Sequence, residues 1–244
     1  MKNIITLKNV SKSFDDSPDS RVEVVHDVTL DIHESEFFIF VGPSGSGKST
    51  LLRIMSKLES RYKGSMVLGE GSDSQAFVFQ QFGLMPWLTV YQNVELALIG
   101  QRIPLHLRRE KIINELKSLG LEKSIHAYPR ELSGGMRQRV GIARAFVTNP
   151  KVVFMDEPFS ELDSFTAEEL RKEVLRLWQE RKMTIVMVTH IVEEALELAD
   201  RIAVLTPGPG KIEKIVTNPL PRPRSKRSPA FYALEDELYK LIRP

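Results

Sequence analysis

The chain of 244 residues is long enough for one large domain or two small ones, and its 42% hydrophobic and 27% charged content is ordinary for a globular protein. Lys+Arg number 34 and Asp+Glu 32, so the net charge of +2 argues against a broad basic surface, and no nucleic-acid partner is expected. The lack of cysteine excludes a disulfide framework, an Fe–S cluster and a Cys-type zinc site.

Taken in chain order, Met1-Lys2-Asn3-Ile4-Ile5-Thr6 turns polar too soon for a signal peptide, so a cytoplasmic protein is expected. Ile4-Ile5-Thr6-Leu7 and the stretch 22–32, where Val24, Val28, Leu30 and Ile32 alternate, read as short strands. A loop is expected between them at Asp15-Asp16-Ser17-Pro18-Asp19-Ser20. Phe37-Phe38-Ile39-Phe40-Val41 is too short for a helix or a membrane span and reads as a buried strand. Similar runs recur at Val152-Val153-Phe154-Met155 and Ile185-Val186-Met187-Val188, with helical spacing after each, as in Leu170, Val174 and Leu177. Strands alternating with helices predict an α/β fold built on a mainly parallel sheet.

Residues 83–136 break that rhythm. Val90, Val94, Ala97 and Leu98, then Ile112, Ile113, Leu116 and Leu119, have helical spacing with no strand-like run between them. A helical insert is expected there, with Trp87 packed inside it or serving a partner surface. Beyond residue 217, Pro219, Pro221 and Pro223 alternate with Arg222, Arg224, Lys226 and Arg227, which reads as a basic, solvated linker before a short amphipathic helix over 231–242.

The chemistry begins after the Phe37–Val41 strand. Gly42-Pro43-Ser44-Gly45-Ser46-Gly47-Lys48-Ser49-Thr50, followed by the helical Leu51-Leu52-Arg53-Ile54-Met55, is a G-x-x-x-x-G-K-S loop between a strand and a helix. Its glycines let backbone N–H groups converge on phosphate at a helix N-terminus. Lys48 is suited to the β- and γ-phosphates of a nucleoside triphosphate, and the Ser49 hydroxyl to Mg²⁺. The strand 151–155 ends in Asp156-Glu157. An Asp at such a strand end holds Mg²⁺ in phosphoryl-transfer enzymes, and the adjacent Glu157 is then placed to activate water. The plainer reading of the acidic pair is a helix cap, which Pro158 makes less natural.

Leu132-Ser133-Gly134-Gly135-Met136-Arg137-Gln138-Arg139 resembles the signature motif of ABC-transporter ATPases, with Met136 where many members have Gln. Further residues match in order: Phe14 as the adenine-stacking aromatic, Gln80 as the Q-loop glutamine, Ser160-Glu161-Leu162-Asp163 as the D-loop and His190 as the switch histidine. Leu84-Met85-Pro86-Trp87-Leu88-Thr89-Val90, Asp156-Glu157-Pro158-Phe159-Ser160 and Leu220-Pro221-Arg222-Pro223-Arg224 are similar to the nitrate/sulfonate/taurine import ATPases.

The resemblance implies a P-loop ABC ATPase domain over 1–217, with an N-terminal antiparallel β-subdomain and the helical insert, followed by an extension over 218–244. It implies ATP and Mg²⁺ as cofactors, with Ser49, Gln80 and Asp156 at the metal and Glu157, His190 and Gln80 in catalysis. The functional unit it implies is a head-to-tail dimer, in which Ser133, Gly134 and Gly135 of one copy complete the nucleotide site of the other. Integral membrane permease subunits, and through them a solute-binding receptor, would be the partners at the cytoplasmic face of the membrane. Four departures stand out: Ser35-Glu36 for the usual Gly-Glu, Glu161 for Ala, Ile191 for Asp, and Ser72-Asp73-Ser74 for a more basic segment. Two rivals fit parts of this pattern, a soluble ABC ATPase of DNA repair and a non-hydrolysing scaffold on the same fold.

Overall fold

The computed structural model describes residues 2–17, 20–101 and 103–242. Regular elements run in the order β1 (Asn3–Ser17), β2 (Ser20–His33), β3 (Phe37–Val41), α1 (Lys48–Met55), β4 (Lys63–Leu68), β5 (Gln75–Val78), α2 (Val90–Glu95), α3 (Leu105–Ser118) and α4 (Gly134–Phe146). They continue with β6 (Val152–Asp156), α5 (Ser164–Arg181), β7 (Thr184–Thr189), α6 (Val192–Leu198), β8 (Arg201–Leu205), β9 (Ile212–Thr217) and α7 (Pro229–Ile242). The chain divides into two compact units, residues 1–73 with 183–244 and residues 74–182.

The first unit holds two sheets. In one, β1 lies between β2 and β4 and pairs antiparallel with both. The expected loop at residues 15–20 is shorter than the sequence suggests, because β1 continues through Ser17 and β2 resumes at Ser20; residues 18 and 19 lie outside the described residues. Alternation along β2 also breaks. The register shifts twice, by one extra residue of β1 between Leu7↔Leu30 and Val10↔Val28 and by one extra residue of β2 between Val10↔Val28 and Lys12↔Val25. Asn9 (φ 51) and Asp27 (φ 50) sit at these shifts, joined by an Asn9–Asp27 hydrogen bond of 2.7 Å. An extra residue in a ladder turns the following side chains to the other face. Val25 is therefore buried, and Val24 only partly.

In the other sheet β3 is flanked in parallel by β7 and β8, and β9 closes the edge antiparallel to β8. Every residue of β3 and of β7 is buried, which is why both read as unbroken apolar runs. Each fully buried large side chain here contributes about 1.5–3 kcal/mol. The turn into β3 shows why glycine is the usual residue at position 35. Ser35 adopts φ 61, a backbone state that glycine enters without strain. Glu36 is buried, accepts a hydrogen bond from the His33 N–H at 2.7 Å and pairs with Arg201 at 3.2 Å. Burial pushes its carboxyl pKa upward despite those partners.

In the second unit β5 and β6 pair in parallel, with Val78 opposite Met155. Between these strands the described residues form only helices and 3₁₀ turns. Val90, Val94, Leu98, Ile112, Leu116 and Leu119 are all buried, at the spacing expected of core-facing helix stripes. The α2 start is closed by a capping box in which Thr89 and Gln92 satisfy each other's backbone N–H.

Candidate functional site

In the first unit the loop after β3 is held from both sides. Gly47, in the left-handed region at φ 79, caps α1 with no side-chain hydrogen bond, so no side chain competes for the first-turn N–H groups. A Cβ at Gly47 would lie 2.7 Å from the Val24 carbonyl oxygen, so only glycine lets β2 pass this close. The loop between β8 and β9 approaches from another direction. A Cβ at Gly210 would overlap the Ser46 carbonyl, and Gly210 itself exchanges backbone hydrogen bonds with Val24 and His26 at 2.9 and 3.0 Å. Lys48 is 5% exposed, and its ammonium donates to the Gly42 and Pro43 carbonyls at 2.8 Å and to Ser46 Oγ at 3.4 Å. A buried ammonium beside the N-terminus of α1 is a donor set suited to a polyphosphate.

His190 stands close in register to that loop. Val41 and Thr189 are paired across the parallel β3–β7 ladder, so Gly42 and His190 leave neighbouring strands at matching positions. Phe14, on β1, is 43% exposed and is not the core aromatic its type alone would suggest. The Lys12 ammonium lies 4.5 Å from its ring centroid, anchored by Glu59 at 3.1 Å and by the Arg61 carbonyl at 2.6 Å. A cavity of about 520 Å³ opens beside the ring, lined also by Ser13, Glu23, Arg61 and Tyr62.

In the second unit Asp156 ends the fully buried β6 and is itself buried. Glu157 follows at φ 43, in the left-handed region. A non-glycine residue there stores strain, of order 1–3 kcal/mol, that the surroundings must impose. Gln80 comes two residues after β5 and donates to Ser160 Oγ at 3.4 Å, while Ser160 Oγ donates to the Glu157 carbonyl at 3.0 Å. Gln80, Glu157 and Ser160 are thus brought together, which spacing alone could not show. Ser133 caps α4 by accepting from the Met136 N–H at 3.3 Å. Gly135 is packed so tightly that a Cβ would overlap the Thr166 methyl of α5.

Several anchors escaped sequence reading. Arg144 of α4 donates to the Gly83 carbonyl at 2.6 Å and to the Phe82 carbonyl at 3.1 Å, and Arg137 stacks over the Phe82 ring. They tie the segment after Gln80 to the helix that Ser133 opens. Burial lowers the Arg144 pKa. An arginine on a helix reads as a solvated face, so no sequence signal marks this one. Trp87 is 69% exposed, which overturns its reading as a packing residue of the insert. The basic tail is also corrected. Arg222 and Arg224 are not solvated: both guanidinium groups donate to backbone carbonyls at the end of α6.

Comparison with known proteins follows the same lines. The ABC transporter family model matches residues 25–160, more than half of the chain. The aliphatic sulfonates import ATP-binding protein SsuB of Bacillus licheniformis is 41% identical over 226 residues, covering 90% of this chain and 87% of its own. The bicarbonate transport ATP-binding protein CmpD of Synechococcus elongatus is 38% identical over 245 residues, covering 95% and 87%. Among solved structures, the bacterial ABC transporter cassette MJ0796 superposes with a TM-score of 0.77 at 35% identity, over 87% of this chain and 98% of that one. It has been solved as a dimer, and again as a dimer in a post-hydrolysis state with ADP and Pi. Sequence, fold and motif order agree, and the chain belongs to the ABC transporter family as an ATP-binding subunit.

Proposed function

We propose that this chain hydrolyses ATP to drive import of a small anionic solute, of the sulfonate or bicarbonate kind, through separate membrane subunits. The observation that carries this reading is the Asp156–Glu157 pair at the end of the buried β6, with Glu157 forced into the left-handed region. A non-glycine residue is held in that region only where the surrounding structure over-determines it. No helix among the described residues is long and apolar enough to cross a membrane, so the solute path would belong to other subunits at whose cytoplasmic face this chain works. Both named relatives are transport proteins, which favours the importer over a DNA-repair ATPase or an inert scaffold.

Each residue has a stated task in this reading. Lys48 and the N–H groups of 42–50 hold the phosphates, with Phe14 stacking on the base. The hard oxygen donors Ser49 and Asp156, with Gln80, suit Mg²⁺, an ion that is commonly bound by one or two carboxylates plus substrate phosphates. Glu157 takes a proton from the attacking water, and His190 orients the γ-phosphate end. Ser133, Gly134 and Gly135 serve the nucleotide of a second copy of the chain, presenting N–H groups at the α4 N-terminus.

The test is phosphate release by the chain assembled with its permease subunits. Turnover should require Mg²⁺ and stop on chelation, and it should rise when the transported anion and its receptor are added. No phosphate release from the full assembly would refute the reading.

Phe14→Ala should weaken ATP by roughly 1–3 kcal/mol, the range for one base stacked on an aromatic ring. Affinity for inorganic triphosphate should not change, as measured by titration calorimetry. Equal weakening of both ligands would mean that Phe14 acts through folding.

A further inference from the structure

The tail after β9 binds the helix that follows His190. α6 has only seven residues, too few to be stable as an isolated helix in water. It begins two residues after His190, and both neighbours of that histidine are tied to it. Thr189 Oγ1 donates to Glu194 Oε2 at 2.7 Å inside the protein, and the same oxygen accepts from the Ile191 N–H at 3.1 Å.

The other end of α6 is closed by the tail. The last carbonyls of a helix have no partner within it and must be satisfied from outside. Asn218 Nδ2 donates to the Leu196 carbonyl at 2.9 Å, and Arg224 Nη1 donates to those of Leu196 and Glu197 at 2.9 and 3.2 Å. Arg222 donates to the Leu198 carbonyl at 2.5 Å and pairs with Asp200 at 2.6 Å. Lys226 reaches along the helix to Glu193 at 2.7 Å and Glu197 at 3.2 Å. Cations at a helix C-terminus also meet the favourable end of its dipole. Burial and the neighbouring Arg222 charge push the Arg224 pKa down to about 10, still charged at neutral pH. Two guanidinium groups are thus held together, against their repulsion, on three successive carbonyls.

We propose that Arg222 and Arg224 are positioning residues for His190: by closing α6 they fix Glu194, which through Thr189 sets the backbone on either side of the histidine. This rests on the reading that His190 acts in hydrolysis. The tail would then contribute to turnover without touching nucleotide.

The test uses the full chain with its permease subunits. Arg224→Gln should lower kcat about tenfold or more, the kinetic equivalent of losing one hydrogen bond from a charged donor. ATP affinity should be unchanged, and Arg224→Lys should recover part of the loss. Amide hydrogen exchange over residues 189–198 should quicken in Arg224→Gln. In a His190→Ala background the arginine change should lower turnover no further. Parent-level kcat and exchange in Arg224→Gln would overturn the proposal, as would an equal loss in the His190→Ala background. If Arg224→Gln fails to fold, Lys226→Gln, at a partly exposed ion pair, should still quicken exchange and lower kcat by a smaller factor; no change in either would be equally fatal. If His190→Ala itself turns over at the parent rate, the reading of His190 is what fails, and the proposal falls with it.

Discussion

Glu157→Gln should reduce ATP turnover by roughly 10²- to 10⁴-fold, the usual contribution of a general base, while nucleotide stays bound. Gln keeps the shape and the hydrogen-bonding reach of the side chain but cannot take a proton from water. The backbone at 157 is held by its own turn, in which the Glu157 carbonyl accepts from the Ser160 N–H at 3.3 Å and from Ser160 Oγ at 3.0 Å. The substitution therefore leaves the local geometry in place. With ATP bound and not consumed, two copies should remain clamped together. Size-exclusion chromatography should show a monomer without nucleotide and a dimer with Mg-ATP, and ADP should not suffice. A scaffold would have no turnover to lose, and a P-loop kinase would form no ATP-dependent dimer. Near-parent hydrolysis by Glu157→Gln would remove this residue from the catalytic step.

Lys48→Ala should cost at least tenfold in ATP affinity. A hydrogen bond involving a charged group contributes about 1.5–3 kcal/mol, and 1.4 kcal/mol is a factor of ten in binding. The loss should follow phosphate number. ATP should weaken strongly and AMP hardly at all, because Lys48 is assigned to the β- and γ-phosphates. Calorimetric titration of ATP and AMP against parent and variant reads this directly. Since the Lys48 ammonium also tethers the Gly42 and Pro43 carbonyls, a melting curve must accompany the titration. Unchanged ATP affinity in a folded variant would defeat the P-loop assignment.

What could be read from the sequence was whatever burial or backbone chemistry imposes locally. β3, β6 and β7 are buried along their whole lengths, so each appears as an apolar run, and the residues at the ends of β3 and β6, 42–50 and Asp156-Glu157, are reached by following those runs. Phe14, Gln80, Ser133 and His190 need the family resemblance, since nothing in spacing distinguishes them. What stayed hidden depends on contacts distant in the chain. The Asn9–Asp27 bulge turns Val24 and Val25 around, and no alternation rule anticipates it. Arg144, Arg222 and Arg224 look like solvated charges until the carbonyls they meet, 61, 24 and 28 residues away, are in place. The left-handed turn at Glu157 occurs where glycine or asparagine would be the natural residue, so the strain itself is invisible in the sequence.

The β3–β7 register carries one more implication. Five successive residue pairs, from Phe37↔Ile185 to Val41↔Thr189, lock the two strands inside the protein. Sliding one past the other by a single residue would shift it about 3.3 Å and turn every side chain to the opposite face. The ladder therefore works as a fixed ruler: Gly42 and His190 leave it a set distance apart. Motion during turnover must be sought in the parts hung from the sheet's ends, and the sheet supplies the reference against which that motion is measured.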